Sequence, residues 1–138
     1  AQSGQLERAE RYFEKALENE PDSPVISNNL AWLRVKLKRA NALELALRAN
    51  ARQPGVATVL DTLASAYEQA GRPAEALTAL EEAVRLAPKN IDYRLHLTSN
   101  LVRSGRTKEA QRQLDEVRTL GPTETQQAEL SRLAALAK

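Results

Sequence analysis

The 138-residue sequence contains no cysteine and no methionine, and only 4% of its residues are aromatic. Without cysteine the chain has neither disulfides nor thiol chemistry, and the compartment stays open between cytoplasm and periplasm. No run of about 18 apolar residues is present, so we expect a soluble domain without a membrane span. Because methionine is absent throughout, we also expect the chain to be a piece of a longer protein.

The sequence has few side chains that could support catalysis. His96 is the only histidine, and one histidine cannot form a zinc site without several partners. The carboxylate pairs Glu81–Glu82 and Asp115–Glu116 are expected to be ordinary surface charge. The glycines are isolated, so the chain has no glycine-rich phosphate loop. We therefore predict that the chain is not an enzyme and that it uses no metal and no cofactor.

Charges of the two signs nearly balance, with 20 basic and 18 acidic residues and a net charge of +2. Residues 30–56 carry six basic side chains and one acidic side chain, whereas residues 61–82 carry five acidic and one basic. We interpret the two stretches as complementary neighbours in the fold. A nucleic-acid interface is the less favoured alternative, because Trp32 is the only aromatic residue within the basic stretch that could stack on bases.

The dominant feature of the sequence is an internal repeat. Four prolines recur at intervals of 33, 34 and 34 residues, at Pro21, Pro54, Pro88 and Pro122. Three further columns keep the same intervals: Ala9, Ala42, Ala76 and Ala110; Ala16, Ala49, Ala83 and Val117; Phe13, Ala46, Leu80 and Leu114. Gly4, Gly71 and Gly105 share another column, in which Lys38 also stands. A period of this length is typical of helical units that stack side by side.

Each unit is predicted to be a pair of helices. In residues 57–90, apolar side chains at three- and four-residue steps form one stripe before Gly71 and a second stripe after it. Gly71 can take the left-handed conformation that ends a helix, and Pro73 suits the first turn of the next helix. Pro88 then prevents that helix from continuing. A single hairpin cannot bury both stripes, so neighbouring hairpins must stack.

Polar residues are predicted to cap several helices. The predicted caps are Ser23 and Asn90 before first helices and Thr123 with Gln126, as a capping box, before the last helix. One unit departs from the pattern, because residues 37–47 are one residue short and have Lys38 in the glycine column. We predict that Asn41 caps the second helix of this unit instead.

This pattern resembles the tetratricopeptide repeat. The residues that carry the resemblance are Leu63, Ala64, Tyr67, Gly71, Ala76, Leu80, Ala83 and Pro88. The resemblance implies an all-α, right-handed superhelix of helical hairpins, in which the first helix of each pair lines a concave face. We divide the single domain 1–138 into the second helix of a truncated repeat (5–19), three full repeats (24–56, 57–90 and 91–124) and a capping helix (124–137).

The family resemblance also implies a non-catalytic scaffold that binds a peptide segment or a helix of a partner protein in its concave groove. Carried over by position, the groove residues are Asn28, Trp32, Val35, Lys36, Asp61, Ser65, Glu68, Asp92, Leu95, Ser99, Val102 and Arg103. The clamp with which one subclass of the family grips a C-terminal carboxylate is absent, because Asn28 and Trp32 occupy its first two positions. Binding of that kind is therefore not expected.

Trp32 is the only tryptophan, and the same groove column holds Ser65 and Ser99. Two interpretations stay open for it. Tryptophan is enriched among the residues that dominate binding energy, so Trp32 is a candidate anchor for a partner. A large aromatic side chain is equally suited to pack between two hairpins.

Assembly is the alternative function. The stretches NNLAWL and LDTLAS resemble bacterial tetratricopeptide repeat proteins, which leaves open a spacing or oligomerising segment of a larger secretion or polysaccharide-export apparatus. The first helix also lacks an upstream partner, so an end of the stack would expose apolar surface. The side chains that predict self-association through this helix are Leu6, Ala9, Phe13, Ala16 and Leu17.

Overall fold

The computed structural model describes residues 2–138, and over that range it contains eight α-helices and no β-strand. The helices are α1 (Gln2–Asn19), α2 (Pro24–Lys36), α3 (Ala42–Arg52), α4 (Ala57–Gln69), α5 (Pro73–Leu86), α6 (Ile91–Arg103), α7 (Thr107–Thr119) and α8 (Glu124–Leu136). None of these helices is long and apolar enough to cross a membrane. The predicted all-α fold is confirmed.

The helices form a row of hairpins. α2 packs on α3, α4 on α5 and α6 on α7, and successive hairpins meet through α3 with α4 and through α5 with α6. α1 packs on α2 at one end of the row, and α8 packs on α6 and α7 at the other. We call α2, α4, α6 and α8 the first helices and α1, α3, α5 and α7 the second helices. Contacts of α2 with α4 and of α6 with α8 align the first helices along one side.

The residues of the repeated columns are buried in the second helices. Their members in α3, α5 and α7 are 3% exposed or less: Ala42, Ala46, Ala49, Ala76, Leu80, Ala83, Ala110, Leu114 and Val117. Small side chains let helix axes approach to about 8–10 Å. Larger side chains such as Leu30, Leu97 and Leu130 are buried on the first helices. The sequence columns therefore mark where helices make their closest contacts.

The same columns are less well covered in α1. Ala9, Phe13 and Ala16 are only half-buried, because no first helix within residues 2–138 packs on that side of α1. Phe13 and Leu17 do contact the core that α2, α3 and α4 share. α1 thus has one covered side and one open side.

Each hairpin turns through one residue in the left-handed conformation. Gly71 and Gly105 have φ angles of 74° and 75°, and Lys38, in the same column, has a φ angle of 56°. In all three turns this residue donates its N–H to the carbonyl three positions earlier, at 3.1 Å. The arginine that follows donates to the carbonyl five positions earlier, at 2.8–2.9 Å. Lys38 therefore reproduces the turn of a glycine, although this conformation costs an L residue about 1–2 kcal/mol.

The prediction that the side chain of Asn41 caps α3 is wrong. Asn41 does stand directly before α3, but its φ angle is 70° and its side chain accepts no hydrogen bond from the helix. A capping residue usually needs an extended backbone to aim its side chain at the first free N–H groups. The one-residue deletion between Lys38 and Ala42 leaves Asn41 in a left-handed turn instead.

The other predicted caps are present. The side chains of Ser23 and Asn90 accept hydrogen bonds from the N–H groups of Ile26 and Tyr93, at 3.3 and 3.0 Å. Thr123 and Gln126 exchange two side-chain hydrogen bonds with each other's backbone and so form a complete capping box. These caps satisfy N–H groups at the starts of α2, α6 and α8.

Ion pairs hold α1 on α2. The carboxylate of Glu10, 9% exposed, lies 3.6 Å from the guanidinium groups of both Arg34 and Arg39. Glu14 and Glu7 lie 3.7 and 3.9 Å from the same two arginines. The basic stretch and the acidic stretch that follows it are neighbours, because α4 packs on α2 and α3, but within residues 2–138 no ion pair joins them. The end of α2 lies against α1, and its arginines reach the acids of that helix first.

Replacing Lys38 with glycine is expected to raise the free energy of unfolding by about 0.5–1 kcal/mol, because relief of left-handed strain exceeds the entropic cost of glycine. The mirrored substitution Gly71→Lys should lower it by a similar amount. Nothing lies within 4 Å of a Cβ built on Gly71, so only the backbone resists that change. Urea unfolding of both variants measures the two effects. A Lys38→Gly variant less stable than the wild type would contradict the expectation.

Candidate functional site

The twelve residues predicted to line the groove all lie on the first helices α2, α4 and α6. Four are exposed (Trp32, Lys36, Asp92, Arg103), six are half-buried (Val35, Asp61, Ser65, Glu68, Ser99, Val102) and two are buried (Asn28, Leu95). Asn28 is 9% exposed, and its Oδ1 accepts no hydrogen bond. We call this side of α2, α4, α6 and α8 the groove.

Trp32 stands at one end of the groove. It is 45% exposed and belongs to neither cluster of buried apolar residues. The Nζ atom of Lys36 lies 5.4 Å from the centroid of the indole ring, a cation–π contact within α2. Val25, two helical turns before Trp32 on the same face, is 62% exposed. The indole and Val25 therefore give this end of the groove an apolar surface in solvent.

A charged network joins α4 to α6 in the middle of the groove. His96 Nδ1 lies 2.7 Å from Oδ1 of Asp61, and His96 Nε2 lies 2.8 Å from Oε1 of Glu68. The second carboxylate oxygen of Glu68 accepts hydrogen bonds from Asn100 Nδ2 at 3.0 Å and from Arg103 at 2.9 Å. Ionised carboxylates only accept hydrogen bonds, so both ring nitrogens must donate and His96 is an imidazolium.

Both titrating groups at the centre of this network favour their charged forms. Burial lowers the pKa of His96, but the hydrogen bonds and charges of Asp61 and Glu68 outweigh burial and raise this pKa to about 9. Burial raises the pKa of Glu68, yet His96, Asn100 and Arg103 together hold it below its ordinary value. Two carboxylates thus face one imidazolium and one guanidinium, and the centre of the groove is nearly neutral.

A cavity of about 440 Å³ lies at the other end of the groove, between α6 and α8. Leu95 lines it from α6, so this buried residue contributes an apolar wall. Gln126 of α8 donates a hydrogen bond from Nε2 to Oδ1 of Asp92 at 3.0 Å. Glu129, also in the wall, accepts two hydrogen bonds from Arg132. The cavity therefore has an apolar wall and polar groups around it.

Four residues of the groove are absent from the predicted set: His96, Asn100, Gln126 and Glu129. His96 was considered from sequence only as a zinc ligand, but it bridges two carboxylates. A signal for it was present in the sequence. Asp61 and Glu68 stand two turns apart on one face of α4. Two acidic side chains on a face that packs against another helix predict a cation on that helix. Among residues 2–138, no group of three or more histidine, aspartate or glutamate side chains is arranged to hold a metal ion.

Replacing His96 with glutamine is expected to change how stability depends on pH. The pKa of His96 is about 9 in the folded protein and about 6.5 in an unfolded chain. Its stabilisation is therefore complete below about pH 6.5 and is lost as the pH rises through about 9, with an upper limit of roughly 3 kcal/mol. Urea unfolding should show the wild type losing stability relative to His96→Gln across this window. Parallel pH profiles would count against the network.

Sequence profiles and solved structures place these hairpins among known proteins. Residues 67–136, 39–89 and 1–57 each match a profile of the tetratricopeptide repeat, and the first match alone spans half of the chain. No curated protein matches the chain significantly in sequence. Proteins of this repeat class are non-catalytic scaffolds for protein interactions.

Several solved structures superimpose on the chain. MamA (residues 41 to the end) from Desulfovibrio magneticus RS-1 has a TM-score of 0.78 and 28% identity over 85% of this chain and 67% of its own. TTC0263 of Thermus thermophilus, a thermophilic TPR protein, has a TM-score of 0.82 and 26% identity over 96% of this chain and 74% of its own. YrrB, described as a TPR protein with an unusual peptide-binding site, has a TM-score of 0.76 and 22% identity over 97% of this chain and 68% of its own.

This chain spans about two thirds to three quarters of the length of those structures. The profile matches extend over nearly all of it. The chain belongs to the tetratricopeptide repeat family.

Proposed function

We propose that the chain is a non-catalytic scaffold whose groove binds an extended segment or a helix of a partner protein. The observation that carries the proposal is the apolar surface of Trp32 and Val25, exposed at one end of the first helices. Covering such a surface is favourable in water, and tryptophan is prominent among residues that dominate binding. Ser65 and Ser99, which follow Trp32 in the same column, are small and leave room beside the indole.

The charges of the groove indicate the chemistry of the partner. Asp61, Glu68, His96 and Arg103 already neutralise one another, so a charged partner gains little at the centre. Lys36, beside the indole, forms no ion pair within residues 2–138. We therefore expect an apolar side chain of the partner against Trp32, next to an acidic residue that faces Lys36.

The shared fold supports peptide binding by analogy. YrrB, whose hairpin row resembles this one, is described as having a peptide-binding site. The analogy concerns the fold, and no residue role is carried over from YrrB. The positions named for this chain depend on its own exposure and charge.

Assembly is a second candidate function, and one observation at α1 favours it. The predicted side chains Leu6, Ala9, Phe13, Ala16 and Leu17 are all half-buried, whereas Tyr12, which was not predicted, is 69% exposed. An exposed aromatic residue on a helix with an open side is suited to recruit another chain. We propose self-association through α1, in a spacing or oligomerising segment of a larger bacterial assembly.

Nucleic-acid binding has less support, because most of the basic stretch is engaged within the chain. Arg34 and Arg39 pair with the acids of α1. Arg48 donates to the carbonyl of Pro21 at 3.1 Å, and Arg52 binds Asp22 at 2.8 Å. Few of these cations remain available to phosphate groups.

The Trp32→Ala variant is expected to lose binding and to keep its stability. Peptides selected from a random phage-displayed library on the wild-type chain should bind the variant about tenfold or more weakly by calorimetry, the size of a binding hot spot. The free energy of unfolding should fall by about 1 kcal/mol or less, well below the 3–5 kcal/mol of a core aromatic residue. Because Trp32 is the only tryptophan, its emission should also shift to shorter wavelength when a peptide covers it.

Leu86→Ala is the matched control, since Leu86 is 38% exposed but lies on a second helix. This variant should bind the selected peptides as the wild type does. Peptides that bind Trp32→Ala with full affinity would exclude Trp32 as the anchor. A loss of about 3 kcal/mol in unfolding free energy would instead identify Trp32 as a core residue.

A further inference from the structure

We propose that the exposed side of α1 docks into a cavity between α3 and α5 of a second copy of this chain. The proposal rests on the self-association proposed above and names its docking site. Two surfaces support it. One is a helix face with an aromatic side chain among three basic ones, and the other is an apolar cavity with an acidic rim.

Three of the four acidic residues of α1 face its own hairpin row. Glu7, Glu10 and Glu14 follow one another at three- and four-residue steps and therefore share one side of the helix. All three contact Arg34 or Arg39 within 4 Å. Most of the negative charge of α1 is thus engaged inside the molecule, and only Glu18 is exposed without an ion pair within residues 2–138.

The basic residues of α1 lie one position further round the helix. Arg8, Arg11 and Lys15 follow the same steps, and Tyr12 lies among them. All four side chains are exposed, and within residues 2–138 none of the three cations is in an ion pair. We call these four residues the Tyr12 face. It presents one aromatic ring among three unpaired positive charges.

The cavity lies between the second helices α3 and α5 and has a volume of about 620 Å³. Its floor is apolar, with Leu60 and Leu63 from α4 and Ala79 from α5. Its rim carries three carboxylates and one guanidinium, those of Glu75, Glu81, Glu82 and Arg85. A volume of roughly 300–1,000 Å³ is typical of pockets that enclose a ligand group.

The rim is net negative and its charges can be engaged. Glu75 and Glu82 are hydrogen-bonded to Arg72 and Arg85 of the same region, which hold the pKa values of both carboxyls below their ordinary range. Such exposed pairs contribute little and exchange readily for other partners. Glu81 forms no ion pair within residues 2–138. The cations of the Tyr12 face therefore find complementary charge on this rim.

One residue makes this cavity larger than its counterparts. The equivalent cavity between α1 and α3 has a volume of about 300 Å³, and that between α5 and α7 about 430 Å³. Leu45 lines the first and Gln113 lines the second, at the position that Ala79 has here. The short side chain of Ala79 leaves the space that those longer side chains fill.

Tyr12 suits a cavity that has an apolar floor and a polar rim. Tyrosine combines an apolar ring with a hydroxyl that finds a partner when buried. The ring of Tyr12 suits the floor of Leu60 and Leu63, and the carboxylates of the rim can accept a hydrogen bond from its hydroxyl. A basic helix face without an aromatic side chain would complement the charges of the rim but would leave the apolar floor uncovered.

Each copy carries one Tyr12 face and one cavity, so the contact joins two unlike surfaces. Two copies can exchange the contact reciprocally, or further copies can add in a row. In either case a copy that lacks one surface still offers the other. This property allows the contact to be tested by mixing two defective variants.

Sedimentation velocity over a concentration series tests the proposal with Tyr12→Ser and Ala79→Leu. The first variant removes the ring, and the second fills the cavity with the side chain that Leu45 provides in α3. We expect the wild type to associate and each variant alone to associate about tenfold or more weakly. A 1:1 mixture should form a heterodimer, because one chain keeps the Tyr12 face and the other keeps the cavity.

One control and one further cavity variant accompany these variants. Arg112→Glu changes a charge in the cavity between α5 and α7, and it should leave the association unchanged. Glu81→Lys, on the exposed rim, should weaken the association as Ala79→Leu does, and it serves if Ala79→Leu unfolds. Thermal unfolding establishes that each variant is folded.

The outcomes separate the docking site from self-association itself. A wild-type chain that stays monomeric at the highest attainable concentration overturns both. Association that survives Ala79→Leu and Glu81→Lys, or a mixture that forms no heterodimer, overturns the docking site alone. Weaker association of both variants together with a restored heterodimer supports it.

Discussion

The close approach of helices at the alanine columns is the constraint on which this structure depends. Its hairpin helices contain 11–14 residues, a length at which isolated helices are marginal in water. Each must therefore bury its apolar stripe against neighbours, and small residues such as Ala46 and Ala83, fully buried, let them approach closely. Because every hairpin repeats this solution, the row gains two long faces. The first helices line one, and the second helices line the other.

The junction between α4 and α6 departs from this scheme. α2 packs directly on α4, and α6 on α8, whereas the side chains of Asp61, Glu68 and His96 form hydrogen bonds between α4 and α6. The hydrogen bonds and charges around His96 outweigh the cost of its burial, so the network contributes stability while His96 is protonated. We infer that it fixes the relative position of the two helices, because a shifted helix would leave Glu68 without donors. The groove is thus set by charge at its centre and by packing at its ends.

The fold could be predicted from the sequence because residues that recur at a fixed interval mark the same backbone feature in every hairpin. The columns of alanine, glycine and proline predicted the helix pairs and the turns at Gly71 and Gly105, and polar residues before the helices predicted three of the caps. The columns could not report long charged side chains, which choose partners by the geometry of the neighbouring helix. The engagement of Arg34 with α1 and the bridge made by His96 were therefore missed. The prediction that Asn41 caps α3 failed for a related reason. The repeat is one residue short near Lys38, and the other repeats do not show which backbone conformation the shortened turn takes.

The helices at the two ends of the row, α1 and α8, differ in the side chains that they expose. In α8, Ser131 stands in the register of Ala64 and Thr98, both fully buried, and is itself exposed. The small polar residue at this position and the capping box of Thr123 suit α8 to contact with water, although Leu136 at its end is 58% exposed. In α1 the corresponding position of Leu45 and Ala79 is Tyr12, an aromatic side chain left in solvent. This exposed tyrosine is the observation from which we propose that another chain covers α1.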